Sequence, residues 1–247
     1  MESTTLTRKT AGQAGAIYLN LILAGIFAHF FVRALLVVPA DPAATAQNIL
    51  NSPLLFRLGF ISDLVHMISF IFLGLIFFRI FRDVRQDSAR TLLAIVLVAN
   101  AIMGLNMLNQ WAALQVLSSP ALKASFAAPQ LEAWSMFFLD LHNQGIHLSY
   151  LFFGLWLWPL GNLIKASAFF PGKLGNLVSI LLQVGCAGYL LDFTVYFLFP
   201  EYYQPIAAYA TLPADLGEML LCLWLLVKGA TGNARDRKKF AMINQNG

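Results

Sequence analysis

Six long apolar segments constrain this chain more than any other feature of its sequence. Five of them exceed the roughly 20 residues that a helix needs to cross about 30 Å of hydrocarbon, and the sixth lies at the lower limit. They cover residues 14–38, 54–79, 91–116, 130–160, 174–199 and 213–229. Stretches such as LLAIVLVANAIMGL do not alternate between apolar and polar residues, as the strands of a membrane barrel would. The pattern predicts an all-α membrane protein, a bundle of six transmembrane helices.

The few charged residues predict how the bundle is oriented. They make up 11% of the chain, against about 25% in soluble domains, so lipid must be the solvent for most of the surface. If the N-terminus is cytoplasmic, only Arg33, Arg57 and Lys123 among the 16 Lys and Arg residues fall away from inner loops and helix ends. Because cytoplasmic loops are enriched in Lys and Arg, we predict that both termini are cytoplasmic.

Proline and capping residues predict the loops on the outer side. Loops are expected at 40–53, 117–129 and 200–212, and a proline opens the inward-running helix after each of them. These prolines are Pro53, Pro129 and Pro213, and proline suits a first helical turn because its missing N–H would be unpaired there. The first outer loop contains DPAATAQNIL, which is typical of a short surface helix capped by Asp41.

The domain organisation is expected to be simple. Residues 1–231 are predicted to form a single transmembrane domain, and residues 232–247 a basic, disordered cytoplasmic tail. The run ARDRKKF in this region could indicate nucleic-acid binding, but a juxtamembrane anchor on anionic lipid explains it better. Membrane lipid is therefore an expected partner and nucleic acid is not.

Ionisable and amide side chains recur at a similar depth, at or outside the predicted middle of several helices. The set that we interpret as a candidate ligand-binding cluster is Asp63, His66, Asn106, Asn109, His142, His147, Asp192 and Glu218. An unpaired charge near the bilayer centre costs about 2.5–3.5 kcal/mol on insertion scales. These groups are therefore expected to face one another or a polar pocket that opens outward. Arg33, further out, is interpreted as an end residue that reaches towards the interface.

Helical phase gives two further expectations. On the fourth segment, Asp140, Asn143 and His147 share a face and His142 lies about 200° from Asp140, so phase favours His147 over His142 as the pocket residue. On the fifth segment, residues at steps of three and four form a face that allows close packing and ends in a carboxylate and a phenol. That face consists of Gly185, Gly188, Asp192 and Tyr196.

Five stretches resemble a known family. They are FRLGFISDLVH, NMLNQWAAL, FFLDLHNQGIHLSYLFFGL, GYLLDF and LPADLGEMLLCLWLLVKG, in this order. Between about Arg8 and Gly229 the chain resembles the bacterial integral-membrane family catalogued as domain of unknown function 4386. The resemblance implies a six-helix protein of the bacterial inner membrane, and it carries over no catalytic residue. It places weight on Asp63, Asn106, Asn109, His142, Asp192 and Glu218, so it ranks His142 ahead of His147.

Three classes of function fit these observations. The first is a protein that binds a small solute or amphiphile from the outer side, with proton-coupled transport through Asp63, Asp192 and Glu218 as one form. The second is an intramembrane hydrolase in which His66, His142 and Asp63 hold a divalent metal ion. The third is an accessory or sensor subunit whose polar cluster only holds the bundle together.

We favour the first class, a protein that is not an enzyme and carries no cofactor. The sequence contains no glycine-rich phosphate loop, no GxSxG and no HExxH. The spacing Asp63–x–x–His66 resembles bundle metal sites, but the paired carboxylates of such sites are missing. The expected partners are therefore membrane lipid and a small ligand.

Overall fold

The chain folds almost entirely into helices. A computed structural model describes residues 8–167, 169–170 and 172–244. The structure is 91% helix, and no strand occurs in the described residues. The all-α prediction is confirmed, as expected for a chain whose backbone groups must be satisfied within each segment in lipid.

The described residues contain eleven α-helices, numbered here in chain order. They are α1 Arg8–Ile26, α2 Ala34–Leu36, α3 Pro42–Asn51, α4 Pro53–Phe81, α5 Gln86–Ser118, α6 Pro120–Ser125, α7 Ala128–Leu155, α8 Leu157–Ala166, α9 Gly172–Leu198, α10 Tyr203–Ala210 and α11 Leu212–Asn244. A π-helix, Phe27–Arg33, joins α1 to α2, and a 3₁₀-helix, Pro200–Tyr202, precedes α10. That residues 232–247 form a disordered tail stays a prediction, because the side chains there lie outside the described part of the chain.

Five helical stretches are long and apolar enough to cross a membrane. They are Lys9–Leu36, Pro53–Phe81, Gln86–Ser118, Gly172–Leu198 and Pro200–Ala230. The predicted fourth span, 130–160, is not among them, although α7 has 28 residues. Its apolar character is lowered by the polar residues between Asp140 and His147, and its helix is interrupted at Trp156 before α8 begins. The chain is thus a multi-pass membrane protein, while a count of six spans stays a prediction.

The predicted helix starts are confirmed. Pro53 opens α4, and Pro129 and Pro213 each occupy the second position of their helix. The side chain of Asp41 accepts a hydrogen bond from the backbone N–H of Ala44 at 2.9 Å and so caps α3, as the sequence indicates. The ends of these helices are therefore fixed by local sequence.

The chain divides into two compact units. The first, here called the Asp63 unit, comprises Asn20–Ser69 and Val98–Tyr150. The second, here called the Glu218 unit, comprises the described residues of 1–19, 70–97 and 151–247. Six of the eight candidate residues belong to the Asp63 unit, whereas Asp192 and Glu218 belong to the Glu218 unit.

In the Asp63 unit, α7 contacts α5 through residues that lie seven positions apart on α7. Ser135 Oγ donates to the carbonyl of Ala113 at 3.1 Å, and Ser149 Oγ approaches Met103 Sδ at 3.8 Å. His142 lies midway between the two serines, seven residues from each. A seven-residue period keeps one side of a helix against its neighbour, so His142 belongs to the packed side of α7.

In the Glu218 unit, small residues let helices approach closely. A Cβ atom at Gly185 would overlap Ala214, and one at Gly188 would overlap the carbonyl of Ala210. On α1, a Cβ atom at Gly15 would press on the backbone of Leu226. The predicted close-packing face of α9 is thereby confirmed, in keeping with the small residues found at membrane helix interfaces.

Candidate functional site

The most polar contact in the Asp63 unit is an ion pair between α4 and the π-helix. Arg33 Nη1 lies 2.5 Å from Asp63 Oδ2, and the two side chains are 19% and 8% exposed. The interpretation of Arg33 as an end residue reaching for the interface is therefore wrong. Asp63 is compensated directly by a cation, which offsets part of the desolvation cost of a carboxylate in apolar surroundings.

A π-helix places Arg33 for this pair. Residues Phe27–Arg33 adopt π-helical hydrogen bonding within an otherwise α-helical stretch. A π-helix advances fewer degrees per residue than an α-helix, so the residues after it are rotated about the helix axis. Such insertions are frequent at functional sites. Arg33, the last residue of the π-helix, is placed by this rotation and not by the α-helical period.

One face of α4 forms hydrogen bonds with α1. Ser62 Oγ donates to the carbonyl of Ala24 at 3.0 Å, and His66 Nδ1 lies 3.0 Å from the carbonyl of Leu21. Ser69 Oγ accepts a hydrogen bond from Asn20 Nδ2 at 2.8 Å. These contacts join two helices along their length, and one ring nitrogen of His66 is used in the joint.

Asn106 and His142 form a reciprocal contact between α5 and α7. Asn106 Nδ2 donates to the carbonyl of His142 at 2.8 Å, and His142 Nδ1 lies 3.3 Å from the carbonyl of Asn106. Asn109 Nδ2 donates to Asn106 Oδ1 at 3.2 Å and so orients its amide. Gly145 makes this approach possible, because a Cβ atom there would overlap the Asn106 amide.

These contacts do not involve Nε2, the other ring nitrogen of His142. A carbonyl oxygen only accepts hydrogen bonds, so Nδ1 must carry the hydrogen in the contact with Asn106, and the neutral ring then has an acceptor lone pair at Nε2. His142 is 1% exposed, and its Nε2 atom is buried without a hydrogen-bond partner among the described residues. Buried polar groups are rarely unsatisfied, so this atom calls for an explanation.

Arg33, the partner of Asp63, resembles His142 in having an unsatisfied nitrogen atom. Arg33 Nε, like His142 Nε2, is buried without a partner among the described residues. An acceptor on His142 and a donor on Arg33 are thus left available, and Arg33 belongs to an ion pair whose own charges cancel.

His147 occupies a different setting from His142. Its ring is 7% exposed and meets the ring of Tyr150 edge-on at 5.0 Å. Asp140 and Asn143, which share its predicted face, are exposed. The contact with Asn106 is made by His142, and which of the two histidines faces a pocket stays a prediction.

Glu218 has a neutral partner. Tyr18 donates its phenol hydrogen to Glu218 Oε1 at 2.8 Å, and Tyr18 is 1% exposed between the rings of Phe77 and Trp156. Asp192, the other candidate in this unit, is 2% exposed. Sequence reasoning missed Tyr18, although its spacing of four residues from Ala14 places it on the buried small-residue face of α1.

The eight predicted residues are thus divided between the units. In the Asp63 unit, Asp63 pairs with Arg33, and Asn106 contacts His142, with Asn109 supporting Asn106. That all eight line one region stays a prediction. No group of three His, Cys, Asp or Glu side chains among the described residues is arranged to hold a metal ion.

The helices and their apolar composition define the class of this protein as a multi-pass membrane protein. The family model described as domain of unknown function DUF4386 matches residues 13–229, and the chain belongs to this family. The resemblance noted from the five sequence stretches is confirmed. No curated protein and no solved structure matches the chain.

Proposed function

We propose that this protein spans the bacterial inner membrane six times with both termini in the cytoplasm. Support comes from the five apolar stretches and from the length of α7, which has 28 residues. A sixth helix that carries polar residues can cross lipid when its polar side chains face protein. The distribution of Lys and Arg supports the orientation. Cysteine labelling that placed position 46 on the cytoplasmic side would contradict it.

We further propose that the Asp63 unit binds a small neutral polar molecule, or an amphiphile with such a head group, from the outer side. The observation that carries this proposal is the buried His142 Nε2 atom without a partner. With Nδ1 protonated, Nε2 accepts a hydrogen bond, and Arg33 Nε–H donates one. A hydroxyl group has both the donor that Nε2 requires and the acceptor that Nε–H requires. Because Arg33 and Asp63 already cancel each other, a charged head group would unbalance the site.

The test separates the two nitrogens of His142. In His142→Asn the new amide nitrogen stands near the place of Nδ1 and keeps a donor for Asn106, while Nε2 is lost. A twelve-carbon monoacylglycerol should raise the melting temperature of the purified wild type but not of His142→Asn. His147→Asn, which changes the other buried histidine of α7, is the matched control and should respond like the wild type. Equal responses in all three proteins would refute the proposal.

A second candidate, proton-coupled transport, is favoured by the Tyr18–Glu218 contact. Glu218 has a phenol and no cation as its described partner, so a proton can bind there without breaking an ion pair. Proton relays in membrane proteins use carboxylates of this kind. If transport occurs, uptake of the ligand into proteoliposomes should depend on an imposed pH gradient in the wild type and not in Glu218→Gln.

A further inference from the structure

The loops predicted to lie outside enclose a cavity that the proposed function does not use. Its volume is about 520 Å³, within the roughly 300–1,000 Å³ of small-molecule pockets. Its walls come from α3, the end of α5, α6 and the start of α7. None of the eight candidate residues lines it.

Local hydrogen bonds fix the helices that form this cavity. Thr45 Oγ1 accepts from the backbone N–H of Val38 at 2.9 Å, which ties α3 to the preceding chain. Ser119 caps α6 by accepting from Leu122 N–H, and Gln130 Oε1 accepts from Ala127 N–H at 2.9 Å at the start of α7. The cavity is therefore preformed, which lowers the entropic cost of binding.

The cavity is lined by both apolar and charged side chains. Leu117, Phe126 and Leu131 give it an apolar side, whereas Lys123 and Glu132 bring one positive and one negative charge. Among the described residues, the side chains of Lys123 and Glu132 have no hydrogen bond or ion pair. Two opposite charges that line one cavity without pairing with each other suit a ligand that carries both charges itself.

We propose that this cavity is a binding site for a zwitterionic amphiphile. A phosphate or carboxylate group of the ligand meets Lys123, its ammonium group meets Glu132, and its apolar part covers Leu117, Phe126 and Leu131. A ligand with a single charge would leave one of the two residues uncompensated. The required chemistry is shared by phospholipids with a primary amine in the head group and by free amino acids with an apolar side chain.

Binding to the purified full-length protein in detergent tests the site. The lipid probe is a twelve-carbon lysophosphatidylethanolamine, the solute probe is L-leucine, and dodecyl phosphate and dodecylamine carry one charge each. Both zwitterionic probes have the required chemistry, and the one that binds more tightly identifies the source of the ligand. Dodecyl phosphate and dodecylamine should bind at least about tenfold more weakly than that probe, since each forgoes one charge-assisted contact.

Charge variants identify the two contacts. Lys123→Gln and Glu132→Gln should each weaken binding of the zwitterion about tenfold, while Arg57→Gln and Glu201→Gln, which change charges outside the cavity, should leave it unchanged. The double variant Lys123→Glu/Glu132→Lys retains both charges and should recover most of the binding. Dodecyl phosphate binding as tightly as the zwitterion, with no effect of Glu132→Gln, would overturn the proposal. Binding of none of the four probes would overturn it as well.

Discussion

The two compact units place a carboxylate in a membrane helix in different ways. In the Asp63 unit, Asp63 pairs with the guanidinium of Arg33, and the charges cancel. In the Glu218 unit, the Glu218 carboxylate accepts a hydrogen bond from the phenol of Tyr18, and no cation lies within ion-pair distance of it among the described residues. An ion pair loses its compensation when either partner is neutralised, whereas a phenol can serve a carboxylate in either protonation state.

The difference underlies the separate roles that we propose for the two units. The Asp63 unit is built to keep its charges fixed, which suits a site that must hold a neutral ligand in one orientation. The Glu218 unit has no fixed charge opposite its carboxylate, which suits a group that exchanges a proton. The comparison makes definite predictions for substitutions in each unit.

The largest effect is expected from breaking the ion pair. Arg33→Gln leaves Asp63 buried without a cation and should lower the free energy of unfolding by about 3–5 kcal/mol. The double variant Arg33→Gln/Asp63→Asn removes both charges and should recover part of this loss. Denaturant unfolding of the purified protein measures both, with the exposed Arg57→Gln as a control that should change stability by less than about 0.5 kcal/mol. If Arg33→Gln behaves like the control, the pair does not support the unit.

A smaller loss of stability is expected from a substitution where α5 and α7 meet. In Gly145→Ala the added methyl group must displace the Asn106 amide, which breaks its hydrogen bond to the carbonyl of His142. Overpacking of this kind costs about 1–3 kcal/mol. Gly172→Ala is the matched control, because a Cβ atom there has no neighbour within 4 Å. Equal melting temperatures for the two variants would show that the Asn106–His142 contact is not rigid.

Substitutions in the neutral Tyr18–Glu218 pair should lower the free energy of unfolding less than substitutions in the ion pair. Tyr18→Phe removes one hydrogen bond and should cost about 0.5–1.5 kcal/mol. Glu218→Gln keeps an acceptor for the phenol and should cost no more than that. The same unfolding measurement compares Glu218→Gln with Asp63→Asn, which leaves Arg33 uncompensated. A loss for Glu218→Gln as large as that for Asp63→Asn would contradict the distinction between the units.

The sequence predicted those parts of the fold that depend on local chemistry. Apolar segment length and composition indicated the helices, Asp41 and the prolines indicated where several begin, and Gly185 and Gly188 indicated a close helix contact. Each of these features acts within a few residues or along one face of one helix. These features can therefore be recognised in the sequence without knowing which helix packs against which.

The candidate site could be predicted only in part. Asp63, Asn106 and His142 were found as polar residues in apolar segments, but Arg33 was assigned to the interface because it lies further out in its segment. The sequence gives no sign of the π-helix that ends at Arg33. For His142 a signal was present: Ser135, His142 and Ser149 follow a seven-residue step that marks the packed side of α7. The charged and amide residues Asp140 and Asn143 drew attention to the opposite, exposed side instead.

The smallest expected effect tests whether the Asp63 unit is sensitive to the ion pair in particular or to any polar contact. Ser69 lies at the end of this unit, where its hydroxyl accepts from Asn20 Nδ2 and donates to the carbonyl of Val65 at 2.7 Å. Ser69→Ala removes one interhelical hydrogen bond, which in membrane proteins contributes on average about 0.6 kcal/mol. The hydroxyl's bond to Val65 is local to α4, and its loss leaves that carbonyl with its helical partner. Unfolding of Ser69→Ala should therefore shift by much less than that of Arg33→Gln. A shift of similar size would mean that the whole α1–α4 contact, and not the pairing of Arg33 with Asp63, determines the stability of the unit.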